Sequence, residues 1–90
     1  MSNTDTTIYF CNIFEGTNID DVKETAKNNG MTARYVGEKT NDYLEDEDDY
    51  LMMKIYYMTK GEKTFYVRLH YPQSTGKISY VYSCDTQNGR

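Results

Sequence analysis

Ninety residues with 10 Lys and Arg against 14 Asp and Glu make a chain of net charge −4, 38% apolar and 14% aromatic. That length holds one domain, 1–90, and a modest core, because so short a chain buries only about 60–65% of the surface it exposes unfolded. No stretch approaches the roughly 20 apolar residues of a membrane span, and the opening MSNTDTT lacks the basic and apolar regions of a secretory leader, so a soluble cytoplasmic protein is expected.

Residues 7–14 (TIYFCNIF) are dense in β-branched and aromatic side chains and read as a first, central strand. Glu15 to Asn18 make a turn, and Thr17 or Asn18 followed three residues on by an acid resembles a helix N-cap. Ile19, Val22 and Ala26 then fall on one helical face, and Asn28-Asn29-Gly30 ends the helix expected over 19–29. Residues 31–36 (MTARYV) read as a second strand closed by Gly37.

The segment 38–49 (EKTNDYLEDEDD) holds seven carboxylates and one lysine, a net of −6, and ends in five consecutive acids. Adjacent like charges resist compact packing, so it reads as an acidic loop with at most one turn near Asn41 or Asp42.

From Tyr50 onward the pattern has period two. Leu51, Met53, Ile55 and Tyr57 alternate with Met52, Lys54, Tyr56 and Met58; after a tight turn at Lys60-Gly61-Glu62, Phe65, Val67, Leu69 and Tyr71 alternate with Thr64, Tyr66, Arg68 and His70. A longer connection at 72–76 leads to a last strand, Ile78 to Cys84, and Asp85 to Arg90 read as a flexible tail. Short turns join antiparallel strands. The order β-α-β-β-β-β predicts an α+β fold, one helix on one face of a mainly antiparallel sheet, with Ile19, Val22 and Ala26 packed over Leu51, Met53, Ile55, Phe65, Val67 and Leu69. The opposite face would present Lys54, Tyr56, Tyr66, Arg68 and a solvated His70.

Chemistry is sparse. His70 is the only histidine, Cys11 and Cys84 form no CxxC pattern, and no glycine-rich turn could serve as an oxyanion hole. Both cysteines are expected as free thiols on the first and last strands, with pairing left open by the unknown strand order. The acid run lacks the glycine and distal glutamate of a calcium-binding loop. Neither an enzyme, a metal site nor a cofactor is expected.

Two surfaces remain as partner-binding candidates. The first is Asp42, Tyr43, Leu44, Glu45, Asp46, Glu47, Asp48, Asp49 and Tyr50, where strung carboxylates with interleaved aromatics suit a basic groove on a protein target. The second is the Lys54, Tyr56, Tyr66, Arg68, His70 face, since residues 50–90 carry six bases against two acids and bases among aromatics hold single-stranded nucleic acid. Those bases could equally meet the acidic segment of a second copy in a homodimer.

At the level of class these ingredients are similar to those of small intracellular inhibitors: phage-encoded anti-defence proteins, anti-CRISPRs among them, bacterial immunity proteins and nucleic-acid mimics. The likeness transfers no residues. It implies a non-enzymatic inhibitor of a basic, nucleic-acid-handling protein, with a nucleic-acid-binding module or an oligomerisation domain as the alternatives.

Overall fold

A computed structural model describes residues 3–86, as α1 (Asn3–Phe14), a 3-10 turn (Ile19–Asp21), α2 (Val22–Asn28), β1 (Thr32–Leu44), a 3-10 turn (Glu45–Glu47), β2 (Asp49–Lys60), β3 (Lys63–Pro72) and β4 (Tyr80–Asp85). The strands form one antiparallel sheet in the order β1-β2-β3-β4, with both helices on the same face. This is the expected α+β class. Among the described residues no helix is long and apolar enough to cross a membrane.

The first element differs from expectation: residues 3–14 are a helix, not a strand. Thr6, Phe10 and Phe14, four residues apart, make one fully buried stripe, and Gly16 at φ 86° closes the C-terminal end. Two phenylalanines one turn apart bury more area against a sheet than β-propensity favours, so tertiary packing overrides the local preference. The helix also covers the sheet edge. Thr7 Oγ1 accepts from Ser83 N–H at 3.1 Å and donates to Ser83 O at 3.0 Å, while Cys11 Sγ lies 3.7 Å from Val81 O. Edge backbone groups of β4 that could recruit another strand are thereby occupied. Cys11 is thus on a helix and only Cys84 on a strand, and both are free.

The one helix expected, over 19–29, is present as the 3-10 turn running into α2 and is the second helix of the fold. Asn18 caps it by accepting from Asp20 N–H at 2.9 Å, and Ile19, Val22 and Ala26 are all buried as expected.

Strand facing is decided by the β2–β3 turn. Gly61 has φ 62° and Glu62 does not share the positive sign, the pattern of a type II′ two-residue turn, which pairs Lys60 with Lys63 and hence Met58 with Phe65 and Tyr56 with Val67. Residues directly opposite share a face. The helix-covered face of β2 is therefore Met52, Lys54, Tyr56 and Met58, and the expectation that Leu51, Met53 and Ile55 sit under the helix is corrected. Those three occupy the open face with Tyr57. Val67 and Leu69 do lie in the core, joined by Phe65, Tyr71, Met31, Ile78 and Val81.

The acidic segment is not a loop. Residues 38–44 continue β1, 45–47 make the 3-10 turn and Asp49 opens β2. Two register shifts, between Tyr35 and Gly37 and between Thr40 and Asp42, swap which parity of β1 faces the helices. Tyr35, Glu38, Thr40 and Tyr43 consequently lie on the helix side, and Arg34, Gly37, Lys39, Asp42 and Leu44 on the open side. Two residues of the expected tail are ordered into the sheet: Asp85 ends β4, is buried and pairs with Lys63 Nζ at 3.9 Å, and Thr86 bonds Thr64 O. Residues 87–90 of that tail lie outside the described residues.

Candidate functional site

The long β1–β2 hairpin ends in a carboxylate-rich tip. Its ordering against self-repulsion has identifiable causes. Asp48 adopts φ 49°, the left-handed conformation that Asp tolerates, and closes the turn with its N–H to Glu45 O at 3.3 Å. Tyr43 and Tyr50 pair across the strands with ring centroids 5.0 Å apart, and Tyr43 Oη donates to Asp48 Oδ1. The β3–β4 connection braces the other side: Ser74 Oγ donates to Asp49 Oδ2 at 2.6 Å, and Gln73 N–H to Tyr50 O at 2.8 Å. Each of these solvent-exposed contacts is individually weak, but they act together against a repulsion that water already screens.

Seven of the nine expected partner-binding residues at the tip fall into two sets. Tyr43, Asp48, Asp49 and Tyr50 brace the hairpin, although the Tyr43 and Tyr50 rings remain 42% and 46% exposed. Glu45, Asp46 and Glu47 are exposed and, among the described residues, have no side-chain hydrogen bond or ion pair. With Tyr43 and half-buried Leu44 they line a depression of about 310 Å³. Asp42 accepts only from Tyr43 N–H, at 2.8 Å. The Ser74 hydroxyl holds the Asp49 carboxyl below its ordinary pKa, and the Asp48 carboxylate raises that of the Tyr43 phenol. Among the described residues no three metal-ligating side chains converge.

The open sheet face carries the second arrangement, and register reshapes it. Tyr66, Arg68 and His70 are on it as expected. Lys54 and Tyr56 are not: Tyr56 is buried in the core, and Lys54 lies over the Tyr35 ring at 5.9 Å on the helix side. In their place stand Arg34, Tyr57 and Tyr82. Arg34 sits 5.1 Å from the Tyr57 centroid, Tyr57 meets Tyr66 edge to face at 6.0 Å, and Arg68 lies between Tyr66 at 6.0 Å and Tyr82 at 4.3 Å. A continuous ladder of rings and guanidinium groups crosses all four strands. Beside it on the open face, Met53 and His70, paired across β2 and β3, are buried although no helix covers them. His70, expected to be solvated, packs against Tyr80 with centroids 5.1 Å apart; burial first, and the Arg68 charge second, push its pKa below the ordinary value.

Arg34, Tyr57, Tyr82 and Ser74 were missed from sequence. The turn at Gly61-Glu62 carried a usable signal for Tyr57, because a two-residue loop places it opposite Tyr66. Nothing local signals Arg34, which needs the bulge, or Ser74, which needs the tertiary contact.

Comparison with known proteins finds no match: no protein-family model, no curated protein and no solved structure resembles the chain.

Proposed function

We propose that this protein is a non-enzymatic inhibitor whose hairpin tip docks into a basic groove of a nucleic-acid-handling protein and blocks it. The observation that carries this reading is the division of labour at the tip. Five side chains or backbone contacts hold the turn, while Glu45, Asp46 and Glu47 keep their charge uncommitted beside two exposed tyrosine rings. Fixed, unpaired charges steer encounter with a surface of opposite sign, and rings that desolvate on contact hold it. A groove that binds a phosphate backbone presents the focused positive potential that a string of carboxylates complements.

The test is capture from a lysate of the source cells on immobilised protein, followed by elution with DNA or RNA of mixed sequence. The captured protein should be released by nucleic acid competing for its groove and by 1 M salt, where the Debye length is about 3 Å. Glu45→Gln, Asp46→Asn and Glu47→Gln together should abolish capture with the melting temperature unchanged; Asp48 and Asp49 are left intact because they brace the turn. Undiminished capture by that triple variant ends the reading. Loss of capture in Arg34→Ala with Arg68→Ala instead would move the function to the sheet face, where a nucleic-acid-binding module is the rival.

A further inference from the structure

The molecule is electrically lopsided along its sheet. Asp49, at the tip, and Tyr57, on the ladder, are eight residues apart on one strand, about 26 Å at roughly 3.3 Å per residue. At 0.1 M salt the Debye length is about 10 Å, so the tip cannot neutralise the ladder of its own chain. The guanidinium groups of Arg34 and Arg68 have no carboxylate partner among the described residues; exposed Arg34 keeps N–H edges free for oxyanions, whereas the Nε–H of half-buried Arg68 is buried and unpartnered. Midway between the two ends, half-buried Leu51 and Ile55 flank buried Met53 on β2, with exposed Lys39 opposite Met53 on β1.

From this layout we infer that the open face is the interface of a symmetric homodimer in which two sheets stack face to face and antiparallel. Reversal about a two-fold axis near Met53 lays each acidic tip, Glu45 to Glu47, over the other copy's Arg34–Arg68 ladder, while half-buried Leu51 of each copy meets Ile55 of the other. Both charge contacts form twice and the assembly closes, as an isologous contact requires. A parallel arrangement would set tip on tip and ladder on ladder. The face is about 30 Å long but four strands wide only where β4 pairs with β3, on the order of 500 Å² per copy, so the pair falls below the roughly 1,200–2,000 Å² typical of specific complexes, and a weak, reversible dimer follows.

Single-stranded nucleic acid suits this face less well than a second copy does. Arg34 and Arg68 already cover ring faces that bases would need for stacking, and a chain of net charge −4 repels a polyanion at long range. The inference does not rest on the target proposed above and is read on the protein alone. It does add a consequence, because the dimer occupies the tip and a target must displace the second copy.

Sedimentation equilibrium on the full chain from micromolar to millimolar concentration, at 0.05 M and 0.5 M salt, tests it. The expected result is a monomer–dimer equilibrium weakened by salt. Glu45→Lys, Asp46→Lys and Glu47→Lys together, or Arg34→Glu with Arg68→Glu, should each weaken self-association at least about tenfold, since like charges then face each other. Mixing the two reversed proteins should restore a 1:1 heterodimer, because every tip then meets a ladder of opposite sign. If Arg68→Glu disturbs folding by circular dichroism, Arg34→Glu alone, at an exposed position, serves as the ladder variant. A monomer at millimolar concentration, a dimer indifferent to both reversals, no rescue on mixing, or open-ended polymers would each overturn the arrangement. So would a monomer that binds oligothymidylate through Arg34 and Arg68.

Discussion

Replacing Phe10 by Ala, side by side with Ile8 by Ala, tests the least sequence-legible element. Phe10 is fully buried, stacks on Phe14 at 6.3 Å and meets Phe65 edge to face at 5.2 Å; Ile8 is 53% exposed. Removing a buried Phe costs about 3–5 kcal/mol, against a total stability of about 5–13 kcal/mol for a 90-residue domain, whereas an exposed truncation stays within about 0.5 kcal/mol. At about 4–8 °C per kcal/mol, Phe10→Ala should lower the melting temperature by at least about 12 °C and Ile8→Ala by less than about 4 °C. The contrast is diagnostic because residues 8 and 10 lie about 200° apart on a helix but on one face of a strand. Urea titrations followed by circular dichroism supply the free energies from midpoint and slope. If Phe10→Ala leaves no folded baseline, Phe10→Leu gives the same ordering on a smaller scale. Equal losses at both positions would refute a helix over residues 3–14.

Further expectations concern facing, titration and the core edge. Val67→Asp, in the core, should prevent folding, while Ile55→Asp, half-buried on the open face, should be clearly milder in the same melts; the reverse ranking would put the wrong face under the helices. His70 has a folded pKa below its ordinary 6.5, so the unfolded chain binds the extra proton, and the associated stability is present above pH 6.5 and declines as pH falls through the lowered folded value. Melts between pH 5 and 7.5 should show that decline, and His70→Gln should flatten it. The Asp49 carboxyl is likewise held low by Ser74, so its contribution is present above its ordinary 3.8 and is lost in acid; Ser74→Ala should shrink this part of the acid limb. Tyr71 is buried and donates to the Glu38 carboxylate, so Tyr71→Phe should cost about 1–3 kcal/mol by urea titration, and no measurable change would show that the bond contributes nothing.

The local chemistry of the chain determined a good deal. Asn18 and the Ile19, Val22, Ala26 spacing specify α2, the period-two run after Tyr50 specifies an antiparallel meander, and the parity of β3 separates core from open face because Arg68 and His70 mark one side, whereas in β4 the polar Ser83 and Asp85 are on the buried side and alternation misleads. The acid run at 45–49 announces itself in any conformation. What the tertiary structure decided is everything that needs a partner strand or a packed face. In β2 both parities are apolar apart from Lys54, so alternation could not say which side was buried; the turn at Gly61-Glu62 settled it through register. Residues 7–14 satisfy strand and helix patterns alike, and only the cavity waiting for Phe10 and Phe14 over the sheet selects the helix. The bulges that bring Arg34 onto the ladder, and the Ser74 contact that makes an acidic segment into a rigid hairpin end, join residues about 23 and 25 positions apart in sequence, separations that no local propensity encodes.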